Sequence, residues 1–420
     1  MTDQAQQRGG LRRAFSHRNF VIYTAGNFPS QIGVWAQRVA IGWLTWQLTE
    51  SPFYLGLMAF ADLIPVVLLN PFAGYFTDRF NRLRLAKILQ FSNLMVTSAL
   101  AACAYGGLLN IELLLLFAFL TGMDHALFQP VRSSLNSVLV PREDLAAAVA
   151  FGGISWNSAR FVGPAIAGII LKATDANFVF LINAILYLWF FLALWALRLP
   201  EQPKRAPSEI GIVGEIVAGY SYAMRHPAIG PLFFLLGCAS FLTRPVVELL
   251  PGFAAAEFDF GRDAGGLAWL LSAMGVGAMA SGLWIAQRGR MEGLTRITTH
   301  TILGSLVSLI LFAYTARFEI AVVSMAAIGF MYSLFATCIQ VLVQSVAAEH
   351  MRGRVLALYG MLWIGSAAFG ALIAGALSEV LGLRLPIGAA GAICFLLWLW
   401  AVRTRKRIDA ELIKQGIGGG

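Results

Sequence analysis

The sequence predicts an all-α membrane protein: twelve transmembrane helices arranged as two six-helix parallel repeats. Three observations carry that prediction: composition, the spacing of apolar runs, and an internal repeat. Of the 420 residues, 58% are hydrophobic and 13% charged. Soluble domains run at about 45–50% and about 25%, so no part of this chain has the charge density of a soluble domain. A spanning helix takes about 20 mostly apolar residues. Runs of that kind occur near 20–48, 52–77, 84–108, 111–139, 144–172 and 176–197, then near 227–257, 264–287, 293–314, 318–347, 353–380 and 384–402. A shift of 207 residues lays "GPAIAG" (163–168) on "GALIAG" (370–375). The same shift lays Trp156 on Trp363, Phe128 on Phe335, Gly122 on Gly329 and Arg18 on Arg225. Six spans followed by six in the same orientation form a parallel repeat, one of the secondary-transporter architectures.

The expected organisation is a cytoplasmic N-terminal tail (1–18), a first bundle (19–198), a linker (199–226), a second bundle (227–403) and a cytoplasmic C-terminal tail (404–420). The linker is the least apolar stretch. Ile210, Val213, Val217, Tyr220 and Met224 recur there at helical spacing, which predicts an interfacial amphipathic helix in its second half. With both termini inside, 23 of the 31 Lys and Arg residues fall in inner segments. Lys172, Arg262, Arg317 and Arg384 fall outside, and Arg38, Arg132, Arg160 and Arg244 lie within spans. The net charge of +9 therefore reads as a topology signal, and nucleic acid is not an expected partner. Four cysteines sit in apolar segments without paired spacing, as small packing residues rather than a disulfide framework or metal site. The first apolar segment lacks the short core and cleavage site of a removable signal peptide.

Between spans 2 and 3 the chain reads "GYFTDRFNRLR" (74–84). Here the sequence resembles the major facilitator superfamily, whose signature in this loop is Gly-x-x-x-Asp-Arg/Lys-x-Gly-Arg/Lys. Gly74, Asp78, Arg79 and Arg82 match, and Asn81 replaces the second glycine. Asparagine tolerates left-handed backbone, so the turn is expected to survive. The resemblance implies a cytoplasmic gate in which these charges form a relay favouring the outward-facing state. Topology determination alone is the alternative role for the basic residues. The second-half copy, "GLWIAQRGR", keeps Gly282 and Arg290 but has Ala286 in place of the aspartate. Four further stretches extend the likeness over nearly the whole chain: "WAQRVAIGWLTWQLTESP" (35–52), "PFAGYFTDRFNR" (71–82), "NSARFVGPAIAG" (157–168) and "RPVVELLPGFAA" (244–255). They look like the enterobactin-exporter-like branch, which implies a proton-driven siderophore or drug exporter in a bacterial inner membrane. Gly163, Pro164 and Gly168 resemble the Gly-Pro motif of antiporters in that superfamily. Close helix packing by small residues is the alternative reading, and the two are compatible.

Ionisable side chains within spans mark transport pathways or structural pairs. Asp124 and His125 fall about 20 Å below the outer end of span 4 at 1.5 Å per residue. Asp62 lies about 15 Å into span 2 on the same scale. A carboxylate there is costly as a charge, which suits a proton-coupling site. His125 titrates near neutrality and suits a relay or a cargo contact. A polar cluster tying helices together is the alternative for Asp124 and His125, as pairing with Arg38 or Arg160 is for Asp62. Pro130 is expected to bend span 4 toward its inner end. Arg244 and Glu248, four apart, can pair on one helix face. Arg38, Arg132, Arg160, Arg244 and Glu248 are candidates for the cavity or for ion pairs, and an anionic cargo would find Arg38, Arg160 and Arg244 useful.

No P-loop, nucleophile motif or metal-ligand spacing occurs, so an enzyme is not expected. The leading expectation is a monomeric exporter of small amphipathic molecules, without cofactor, coupled to protons with sodium as the alternative ion. It would work by rocking its two halves around a central cavity. A lysophospholipid or lipid-intermediate flippase, with a lipid-like substrate, is the second expectation. A non-transporting membrane scaffold or sensor is the third.

Overall fold

The computed structural model describes residues 10–199, 212–261 and 263–414, except the side chains of 70, 71, 73–79, 136, 137, 212, 213, 215 and 216. The fold is 88% helical, with no strand among the described residues. Each helix thus satisfies its own backbone, as a chain crossing lipid requires. The first half contains α1 (Gly10–Ala14), α2 (Arg18–Thr49), α3 (Pro52–Arg79), α4 (Arg82–Tyr105), α5 (Ile111–Leu139), α6 (Leu145–Ala173) and α7 (Ala176–Ala196). Beyond the linker come α8 (Ile212–Arg225), α9 (Ile229–Thr243), α10 (Pro245–Glu248) and α11 (Leu250–Gly252). Five long helices complete it: α12 (Gly265–Arg288), α13 (Leu294–Tyr314), α14 (Phe318–Val346), α15 (Arg352–Leu381) and α16 (Arg384–Lys414).

Ten spans among the described residues are long and apolar enough to cross a membrane. Helices α2 and α6 are not among them, although they run 32 and 29 residues. Polar side chains dilute both: Asn27, Gln31, Gln37 and Arg38 in α2, and Ser155, Asn157, Ser158 and Arg160 in α6. With these two the chain has twelve spans, and it is a multi-pass membrane protein.

Side-chain caps set several helix starts. Asn110 Oδ1 accepts from the Leu113 amide at 2.9 Å and Asp175 Oδ1 from that of Phe178 at 3.2 Å, each worth about 1 kcal/mol. Asn81 does the same for α4, accepting from the Arg84 amide at 3.1 Å. Its backbone is extended (φ −60°, ψ 118°), so the left-handed turn expected there is corrected to a helix cap. The seventh span is also not one helix. Pro245 and Pro251 each lack an amide proton, and the run breaks into α9, α10 and α11 followed by a π-helical turn, Phe253–Glu257. Pro130, by contrast, is carried inside a continuous α5.

The chain packs as two units. The first comprises Met1–Ile41 and Leu68–Ser208. Its core includes Phe20, Tyr23, Leu135, Phe190 and Leu194. Asn183, fully buried on α7, donates to Gln37 Oε1 of α2 at 2.6 Å. A Cβ at Gly163 of α6 would come within 2.5 Å of Trp35 Cβ and 2.9 Å of the Ile32 carbonyl oxygen on α2. The fifth span therefore lies directly on the first.

The second unit comprises Gly42–Val67 and Glu209–Gly420. It repeats that contact: a Cβ at Gly370 of α15 would sit 2.3 Å from the Phe241 carbonyl oxygen of α9. Gly163 and Gly370 are partners at the 207 shift, so the repeated glycine has one physical task, close approach of helices. The segment 42–67 belongs here because it packs on α15. Ser51 Oγ donates to Glu379 Oε2 at 2.6 Å, and the Phe53 amide donates to the same oxygen at 3.2 Å. Helix α8 leaves Val217, Tyr220 and Met224 exposed while Ala223 is buried. Three residues of the expected apolar stripe are thus exposed, and the side chain of Val213 lies outside the described residues. Ile210, expected on the same stripe, lies outside the described residues.

Candidate functional site

The polar and aromatic side chains of α2, α5 and α6 converge within the first unit. Positions 31, 35 and 38 recur at helical spacing on α2, which gives Gln31, Trp35 and Arg38 a common side. Helix α6 supplies Ser155, Trp156 and Arg160, and α5 supplies Arg132. The indoles of Trp35 and Trp156 meet edge-on, with centroids 5.5 Å apart. Around them stand three guanidinium groups. Arg132 Cζ is 4.6 Å from the Trp156 ring centroid, while Arg160 and Arg38 are 5.5 and 5.9 Å from that of Trp35. Each such contact is worth about 0.5–2 kcal/mol, more where water is excluded. Three arginines expected singly from sequence thus form one cluster, bridged by two tryptophans that sequence reasoning passed over.

Beside the cluster is a cavity of about 230 Å³, lined among others by Tyr23, Gln31, Arg132, Ser155 and Trp156. Tyr23, Gln31 and Ser155 are all more than nine-tenths buried. Their hydroxyls and the Gln31 carbonyl oxygen find no hydrogen-bond partner among the described residues.

Asp124 of α5 is 5% exposed. Ser92 of α4 hydrogen-bonds the carboxylate, and Oδ2 has no hydrogen-bond partner among the described residues. His125 is half-buried on the next position. Asp62, half-buried on α3, lies in the segment that packs with the second unit. In that unit Arg244 Nε donates to Glu248 Oε1 at 3.0 Å and Nη2 lies 2.9 Å from the same oxygen, with both side chains 12% exposed. At the gate motif, Arg82 Nη1 donates to the Ser134 carbonyl at 3.3 Å, tying α4 to α5. The side chains at Gly74, Asp78 and Arg79 lie outside the described residues. Pro164 and Gly168 are buried beside Gly163. No group of three or more His, Cys, Asp or Glu among the described residues has the arrangement to hold a metal ion.

A second polar centre lies outside the spanning helices, between the expected tail (1–18) and the residue expected to open the fifth span, 144. Asp144 ends the short 3₁₀ turn Arg142–Asp144, with its side chain 3% exposed. His17 Nε2 donates to its Oδ2 at 2.8 Å and Arg13 Nε donates to its Oδ1. These bonds pin α1 against the turn between the fourth and fifth spans. The hydrogen bond from His17, then that from Arg13, holds the Asp144 carboxyl below the usual carboxylate range. A depressed carboxyl stabilises the docked form above its undocked pKa of about 4, and that stability is lost as pH falls through the lower docked value. Hydrogen exchange at residues 10–17 is therefore expected to stay slow from pH 7 to pH 5. Protection relative to the intrinsic amide rate at each pH should fall below about pH 4, and Asp144→Asn should show little protection throughout. Protection in that variant would contradict the pinning.

Residues 13–413 match the family described as transmembrane secretion effector, MFS_3. The chain belongs to this family of the major facilitator superfamily. Relatives of this transporter include the staphyloferrin A transporter of Staphylococcus aureus, 24% identical over 400 residues, covering 94% of this chain and 99% of the relative. The multidrug efflux pump Tap of Mycolicibacterium fortuitum is 24% identical over 391 residues, covering 89% and 92%. The solved structure of a bacterial homologue of the lysosomal transporter Spinster, inward-facing and occupied, superposes with a TM-score of 0.74 at 12% identity, covering 94% of this chain and 97% of that one. The D-xylose–proton symporter gives 0.67 at 15%, covering 91% and 96%. These two structures bear on the fold alone. Family and relatives together make the chain a membrane transporter and not an enzyme.

Proposed function

We propose that this transporter exports small amphipathic molecules of the siderophore or drug class in exchange for protons, with alternating access between its two halves. The observation that carries the coupling is Asp124: a buried carboxylate with one oxygen left without a hydrogen-bond partner among the described residues, on a helix that also bears His125 and Arg132. A carboxylate in such a place takes up and releases a proton at an energetic cost that differs between conformations, which is what coupling requires. Asp62 is the second coupling candidate. The arginine–tryptophan cluster of the first unit supplies the cargo contacts, with Arg244 and Glu248 as candidates in the second unit. The gate formed by Gly74, Asp78, Arg79 and Arg82 closes the cytoplasmic side, where both termini lie. The protein acts as a monomer in a bacterial inner membrane. Export is supported by the multidrug efflux pump among its relatives, and a cargo of the siderophore class by the staphyloferrin A transporter.

Everted membrane vesicles test this reading. Energised vesicles containing the transporter should accumulate ethidium or another cargo from a panel of dyes and iron chelators. Collapsing the pH gradient with nigericin should release it, and replacing sodium with choline should change nothing. Accumulation that survives nigericin, or that needs sodium, would overturn proton exchange.

A further inference from the structure

We propose that the cavity of the first unit is a carboxylate-binding subsite, centred on Arg132, for one acidic arm of the cargo. It rests on the export reading above only in assigning the bound molecule as cargo.

The inference starts from an unbalanced charge. Arg132 lies within a spanning helix and lines the cavity, and among the described residues no carboxylate pairs with it. Its contact is the ring face of Trp156. An aromatic face offsets part of the charge but offers no oxygen to the five N–H donors of a guanidinium. A charge removed from water is normally paired or bound to a ligand. The surroundings are donors as well: the buried hydroxyls of Tyr23 and Ser155 border the same space, each without a hydrogen-bond partner among the described residues. Gln31, equally buried there, brings an amide that can donate or accept. A site of this make-up is complementary to an oxyanion. The planar guanidinium fork fits a carboxylate in a two-point hydrogen bond.

Size narrows the ligand further. A cavity of about 150 Å³ holds benzene, and drug-sized ligands fill about 300–1,000 Å³. At about 230 Å³ this space takes one carboxylate arm with its neighbouring carbons. The repeat supplies an internal contrast. Trp363, the partner of Trp156, packs on Tyr332 with centroids 4.4 Å apart, and Ile339 stands at the position equivalent to Arg132. The second unit keeps the aromatic and has no cation at that sequence position, and its nearby Arg244 is paired with Glu248, so the anion site is a property of the first unit.

The test uses the full chain purified in detergent, with tricarballylate, its trimethyl ester and glycerol 3-phosphate as probes. Binding is read by tryptophan fluorescence and by the shift in melting temperature. Tricarballylate should quench fluorescence and raise the melting temperature, the ester should do neither, and glycerol 3-phosphate should bind at least tenfold more weakly. Arg132→Gln should weaken tricarballylate at least tenfold, Arg132→Lys should recover part of that loss, and Ser155→Ala should cost a few-fold. Arg317→Gln, on an exposed side chain, should bind as the wild type does. If Arg132→Gln does not give a monodisperse protein, Arg132→Lys and Ser155→Ala decide the matter. Equal binding of acid and ester, a preference for the phosphate, or binding untouched in Arg132→Lys and Ser155→Ala would overturn the subsite. Failure of the export reading looks different: acid binds in an Arg132-dependent way while vesicles accumulate no cargo.

Discussion

Replacing Asp124 with asparagine is expected to abolish pH-driven cargo accumulation, by 100-fold or more, while leaving the protein folded. The substitution is nearly isosteric and keeps a partner for Ser92, so packing in α5 changes little. What is lost is the proton. A side chain that cannot change charge no longer makes one conformation respond to pH, and cargo then runs downhill without exchange. Asp124→Asn should therefore retain cargo–cargo exchange in proteoliposomes and lose accumulation against a gradient. If accumulation persists in that variant, the same assay on Asp62→Asn identifies the other carboxylate. Full coupling in both single variants and in the double variant would exclude both.

Gly329→Ala should be among the most damaging single-methyl changes in the second unit. A Cβ at Gly329 of α14 would stand 2.1 Å from the Met274 carbonyl oxygen of α12, and one at Gly277 of α12 would stand 1.9 Å from that of Ala326. The obstructing atoms are helix backbone, which cannot rotate away, so the two helices must separate. Alanine ordinarily favours a helix over glycine by about 1 kcal/mol, but overpacking of this kind costs on the order of 3 kcal/mol. The steric cost wins. Gly360→Ala on α15, where a Cβ meets nothing within 4 Å, is the matched control. Melting in detergent should fall for Gly329→Ala and hold or rise for Gly360→Ala; equal melting temperatures would contradict the packing account.

The twelve spans and the repeat were legible because both rest on local pattern: apolar length and glycines recurring at one offset. Gly163 and Gly370 make the point, since each lies against the first spanning helix of its own six-span half, α2 and α9. Hydropathy alone is weaker, because α2 and α6 owe their polar content to the cluster they build. The candidate site was half legible. Isolated charges in apolar runs stand out, so Arg38, Arg132, Arg160 and Asp124 could be named. Trp35, Trp156 and Tyr23 could not, because in a chain with 30 Phe, 11 Trp and 10 Tyr an aromatic carries no contrast, and Ser155 could not because a small uncharged hydroxyl passes unnoticed in a span. Asp144 escaped for the opposite reason. An aspartate at the charged edge of a span looks solvated, and only tertiary packing buries it under Arg13 and His17. The break at Arg244 was written in Pro245 and Pro251, two prolines that an unbroken span cannot carry without losing backbone bonds.

Exchange of cargo for protons is the central claim, and cargo-driven proton movement tests it most directly. Proteoliposomes holding the wild-type transporter and an internal pH dye are loaded with cargo and diluted into cargo-free buffer at equal pH, with potassium and valinomycin clamping the membrane potential. Outward cargo flow should acidify the interior at a rate that follows cargo flux, and Asp124→Asn should pass cargo without acidification. Cargo efflux from the wild type with no change in internal pH would contradict the account.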